Sequence, residues 1–110
     1  MKTYHVEIVE PAQRQWEGYY DDIYYNCGPQ QARNTQNDLT ETIIDLTRTA
    51  GKRALYHEVP IAAAMGYHRA NFVKGHRYFL LYRMEGDEAV VDYIAPFRRS
   101  ILKMMVEEPR

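Results

Sequence analysis

Between Gly66 and Ile101 the chain carries three short apolar-rich runs separated by Lys74-Gly75 and Glu85-Gly86-Asp87. Two glycine turns that close together leave room for little except an antiparallel β-meander. In the middle run Tyr78, Leu80 and Tyr82 alternate with Phe79, Leu81 and Arg83, so both faces are apolar until the last position. A strand of that kind needs cover on each side. The third run, Glu88 to Ile94, places Val90, Asp92 and Ile94 on one face and Ala89, Val91 and Tyr93 on the other, as a strand with one dry face would. The meander ends in a basic segment, Phe97-Arg98-Arg99-Ser100.

The cover must come from upstream. Thr3 to Glu10 alternates Tyr4, Val6 and Ile8 against His5, Glu7 and Val9, which predicts a half-buried first strand. Pro11 ends it and suits a first helical position, where its missing N–H costs nothing. Ala12, Trp16, Tyr19, Tyr20, Ile23 and Tyr24 then form one helical stripe, with Arg14, Glu17, Asp21 and Asp22 turned outward. Asn26-Cys27-Gly28-Pro29 reads as a turn, and the spacing of Ala32, Leu39, Ile43, Leu46 and Ala50 predicts a second helix over 30–50, ended by Gly51 in the left-handed conformation. Arg48, Lys52 and Arg53 sit at that helix's negative end. Ala54 to Met65 reads as a loop with a short helical turn after Pro60. The expected fold is α+β and single-domain: an N-terminal strand, a two-helix antiparallel hairpin and a three-strand antiparallel meander (βααβββ) with a short C-terminal tail.

With 110 residues, 45% of them hydrophobic, the chain suffices for one domain spanning 1–110 and not two. No stretch resembles a signal peptide or a membrane span, so a cytoplasmic protein is expected. The single Cys27 cannot form an internal disulfide or build a zinc site alone, and it reads as a loop thiol. The formal net charge of −1 argues against bulk attraction to nucleic acid and leaves local clusters of arginine as the means of binding it.

The order of elements, the opening Tyr4-His5-Val6-Glu7-Ile8 strand followed by Pro11-Ala12, the hairpin ending near Leu46 and the run from Gly75 to Asp87 resemble the RelE/ParE superfamily of bacterial type II toxins. The resemblance covers nearly the whole chain. In that family a central strand reads Tyr-Arg-apolar-apolar-Tyr-Arg before a glycine turn, and a fourth strand leads to a short basic segment. Arg99 stands where the family's arginine is expected, and Arg69 matches a basic residue of the second strand. The resemblance implies a growth-arresting toxin of a plasmid-stabilisation type module, held inactive by a cognate antitoxin, without cofactor or metal. Two targets share the fold: the ribosome, where messenger RNA is cleaved in the A site, and DNA gyrase, which is poisoned without hydrolysis. A third possibility is a non-toxic module that only binds an antitoxin. For contact with such a partner, the tyrosines of the first helix and Met104-Met105-Val106 offer apolar surface.

Metal-free RNA cleavage needs a base for the 2′-hydroxyl, cations for the phosphorane and an acid for the leaving oxygen. Arg69, Arg77, Arg83, Arg98 and Arg99 are the candidates for phosphate, and His57, His68, His76 and Tyr93 for proton transfer. On a regular strand His76 and Arg77 point to opposite sides, so only one of them faces a substrate. The sequence leans slightly toward translation as the target. The long helical hairpin leans toward gyrase, and Val106-Glu107-Glu108-Pro109-Arg110 carries no His-Tyr or Arg-Tyr pair of the kind some ribosome-dependent members use.

Overall fold

The computed structural model describes residues 2–74 and 77–110. Along the chain run β1 (His5–Ile8), α1 (Glu10–Cys27), α2 (Pro29–Thr49), a 3₁₀ turn (Ala50–Lys52), α3 (Pro60–Ala64), β2 (Tyr67–Asn71), β3 (Tyr78–Glu85), β4 (Glu88–Pro96) and α4 (Ile101–Glu107). The four strands form one mixed sheet in the order β1-β4-β3-β2. β2, β3 and β4 are the antiparallel meander, and β1 lies parallel to β4 at the edge. The α1–α2 hairpin covers one face through Ala12, Trp16, Leu39 and Leu46, which pack with Leu80, Tyr82, Ala89, Val91 and Ile94. The other face holds a second core of Phe79, Leu81, Tyr93 and Ala95 beneath Ala62 of α3 and Ile101, Met104 and Met105 of α4. This is the α+β βααβββ architecture read in the sequence. Among the described residues no helix is long and apolar enough to cross a membrane.

The structure departs from the sequence reading in five places. The segment read as a short C-terminal tail contains α4, capped by Ser100, whose hydroxyl accepts from the Lys103 N–H at 3.3 Å; its Met104 and Met105 are buried, leaving only Val106 of that trio as exposed surface. Asn26 and Cys27 belong to the last turn of α1, so Gly28 alone, at φ 94°, turns the chain into α2, and Cys27 is exposed. Gly51 is not left-handed: α2 tightens into the 3₁₀ turn, and glycine is needed there because Tyr4 lies against it. The stripe of α1 overshoots the sheet, leaving its last member, Tyr24, 43% exposed.

The fifth departure is in β4. Leu81 pairs with Tyr93, but Tyr82 pairs with Val91, so Asp92 is an extra residue in a β-bulge. The bulge flips the parity downstream. Ile94 joins Ala89 and Val91 on the hairpin face, whereas Tyr93 joins the opposite core. The alternation of β3 holds, with Leu80 and Tyr82 toward the hairpin and Phe79 and Leu81 away from it. The Lys74-Gly75 turn and His76 fall partly or wholly outside the described residues.

Candidate functional site

Arginines gather where β3 begins and β4 ends. Tyr78 pairs with Pro96, the Phe97 N–H donates to the Arg77 carbonyl at 3.0 Å, and the Arg99 N–H donates to the Pro96 carbonyl at 3.0 Å. This turn sets Arg77, Tyr78, Pro96, Phe97 and Arg98 around a cavity of about 450 Å³. Arg77 and Arg98 are exposed, and among the described residues neither forms a salt bridge. Burial and the neighbouring Tyr19 raise the Tyr78 pKa, while Arg77 and Arg98 work against that rise. Both guanidinium charges are therefore felt at a phenol that stays neutral.

Phe97 is the wall between this cavity and a second group. It stacks on Phe79 with centroids 6.1 Å apart, and the Arg69 guanidinium lies 4.5 Å from Phe79, 4.9 Å from Phe97 and 5.2 Å from Tyr56. Arg69 Nε donates to Asn71 at 3.0 Å and an Nη donates to the Tyr56 hydroxyl at 2.9 Å. It lines a cavity of about 440 Å³ with Arg53, Tyr56, Glu58 and Asn71. Three of the five arginines read as phosphate-binding, Arg69, Arg77 and Arg98, thus surround one aromatic ridge. Exposed guanidinium groups beside an aromatic ridge suit phosphate or carboxylate recognition.

The other two arginines are engaged. Arg83 sits near the far end of β3, about 20 Å along the strand from Arg77 by the strand rise. It donates to Asp92 at 2.8 Å and pairs with Glu85, and those hydrogen bonds lift its pKa further above the usual arginine range. Arg99 pairs with Glu108, lies 3.9 Å from Glu107 and donates to the Tyr19 hydroxyl at 3.5 Å.

The residues read as proton carriers do not gather at the arginines. Tyr93 is 1% exposed, and its hydroxyl donates to the Glu108 carbonyl at 2.8 Å. His68 stacks on Tyr82 with centroids 5.0 Å apart, and its Nδ1 lies 3.0 Å from the Ala54 carbonyl, a contact that requires the proton on Nδ1. It faces the hairpin side, opposite to Arg69. His57 is exposed in the turn before α3. His76 lies outside the described residues.

Sequence reasoning missed Asp92, which is 1% exposed and accepts from both the Tyr67 hydroxyl at 2.6 Å and Arg83. Its signal was a carboxylate inside the apolar run Ala89-Val90-Val91-Asp92-Tyr93-Ile94. It also missed Gln15 and Glu108, for which no local pattern speaks.

No protein-family model matches the chain, and no curated protein does. Among solved structures, a chain of the chromosomal ParDE TA system from P. aeruginosa superposes on it with a TM-score of 0.69 at 19% identity, over 86% of this chain and 96% of that one. The protein thus has the fold of that ParDE chain, in agreement with the RelE/ParE resemblance carried by its strands and arginines.

Proposed function

We propose that the protein is the toxin of a toxin-antitoxin pair, held by a cognate antitoxin in the cytoplasm, and that it arrests growth by binding DNA gyrase without hydrolytic chemistry. The likeness to a ParDE chain over nearly the full length of both supports the toxin reading. One observation carries the choice of mode: the described groups read as proton carriers stand apart from the exposed Arg77 and Arg98, with Tyr93 buried and donating to the Glu108 carbonyl and His68 stacked on Tyr82 on the hairpin side. Cations beside an aromatic wall, set apart from those groups, suit binding more than cleavage.

The second reading, ribosome-dependent cleavage of messenger RNA without metal, has the same arginine pair in its favour, because two exposed guanidinium groups suit a phosphate. Purified protein, freed of any partner, assayed in parallel for gyrase supercoiling and coupled translation separates the two. Inhibited supercoiling with intact messenger RNA is expected. Lost translation with new 5′ ends inside ribosome-bound codons would overturn the gyrase reading, and silence in both assays would leave a non-toxic antitoxin-binding module.

A further inference from the structure

The segment after α4 is tied to the molecule by several polar contacts that converge on one place. One Glu108 carboxylate oxygen accepts from Arg99 and the other from Gln15 Nε2 at 3.3 Å, while its backbone carbonyl accepts from the Tyr93 hydroxyl at 2.8 Å. Two residues on, the Arg110 guanidinium lies 4.5 Å from the Tyr93 ring centroid, and its Nε donates to the Asp92 carbonyl at 2.8 Å. Glu107 puts a second carboxylate 3.9 Å from Arg99.

The receiving groups come from three separate elements and are held by contacts of their own. Gln15 of α1 takes the Ile94 N–H on its amide oxygen at 3.4 Å, which leaves its NH₂ to face the carboxylate. Arg99, in the turn after β4, is braced by the Tyr19 hydroxyl. Tyr93, on β4, is buried in the sheet. The socket is thus set by the fold, and its occupant is a short surface segment. Arg99 and Glu108 keep 30% and 34% of their side chains exposed, so their ion pair is of the weak, solvent-screened kind and is exchangeable.

We propose that Arg99 and Gln15 form a carboxylate socket, with the Tyr93 hydroxyl holding the adjoining backbone carbonyl, that residues 107–110 occupy as a resident mask, and that an acidic segment of a partner protein takes the socket by displacing them. Release exposes a further guanidinium beside Arg77 and Arg98, so the mask sets how much of the basic edge a partner meets. The inference goes beyond the toxin reading and does not require it.

A tethered occupant competes at an effective concentration in the millimolar range. An untethered acidic peptide therefore binds more weakly while the mask is in place. The test is a titration of ¹⁵N-labelled protein with a capped Glu-Glu-Pro-Arg peptide, following the Arg99 Nε–H resonance, for the unaltered chain, for Glu108→Gln and for Glu108→Gln with Arg110→Ala. The double variant is expected to shift the Arg99 signal without peptide and to bind the peptide at least about tenfold more tightly than the unaltered chain. Glu108→Gln alone should fall between them, and adding Arg99→Ala should abolish binding. Amide dispersion reports that each variant folds; should the double variant not fold, Glu108→Gln alone carries the comparison. Equal affinity with and without the mask, no binding to a folded unmasked variant, or binding that survives Arg99→Ala would each overturn the proposal.

Discussion

At the scale of single residues, Gly51 marks a place where backbone and side chain meet closely. A Cβ at Gly51 would sit within 2.6 Å of Tyr4 Cε1, with Cζ and Oη equally close. Tyr4 packs against the main core and its N–H donates to the Thr47 carbonyl at 2.7 Å, so the ring has little freedom to retreat. Gly51→Ala should therefore cost about 1–3 kcal/mol through overpacking. Gly18 is the control: it lies inside α1, and a methyl carbon added there would meet nothing within 4 Å. Gly18→Ala should stabilise by about 0.5–1 kcal/mol. Urea midpoints of the two variants check this, and shifts of the same sign would refute it. The sequence pointed to Gly51 for a different reason, a left-handed helix end, because the approach of Tyr4 depends on where β1 docks and no local pattern encodes that.

At the scale of elements, periodicity made α1, α2, β1, β3 and β4 legible, since each has a face that must be buried, and the turn after it marked β2. The β4 bulge was not legible: its register is decided by the partner strand, so Tyr93 and Ile94 were assigned to the wrong faces. The seven residues of α4 were too short for a helical period to stand out. Elements are also locked together by polar groups that hydropathy does not reveal. Tyr82 of β3 donates its hydroxyl to the Ala50 carbonyl at 2.8 Å, tying the sheet to the end of α2, and burial pushes its pKa up to about 12 from 10.0. A pKa raised in the folded state means that folding favours the neutral phenol. That contribution is fully present below pH 10 and is lost as pH rises toward about 12. Tyr67, raised by burial and by its hydrogen bond to Asp92, acts in the same sense. Unfolding free energy should therefore fall across this alkaline window, and Tyr82→Phe should make the fall shallower. An unchanged slope in denaturant titrations at stepped pH would contradict the assignment.

At the scale of the whole molecule, a sheet covered by the helical hairpin on one face and by α3 and α4 on the other leaves its end, at the start of β3, as the place where cations stand clear of carboxylates. The net charge of −1 does not reveal this, because it carries no information on which charges are paired. Composition therefore said little about function, while the paired Arg98-Arg99 in sequence drew attention to the end of the sheet where the candidate site lies. Within that pair the sequence favoured Arg99. The structure leaves Arg98 open with Arg77 and places Arg99 under Glu108, a contact between residues nine apart that only the fold of α4 creates.

The measurement that bears most directly on the account is growth after induced expression without a partner, comparing the unaltered chain, Arg77→Ala with Arg98→Ala, and Arg14→Ala. Arg14 pairs with Glu10 on an exposed helix face and serves as the control for loss of an arginine as such. The unaltered chain and the Arg14 variant should arrest growth, and the double variant should lose most of that arrest while remaining folded. Growth unaffected by the unaltered chain, or arrest equally strong in all three, would contradict a toxin that acts through its basic sheet end.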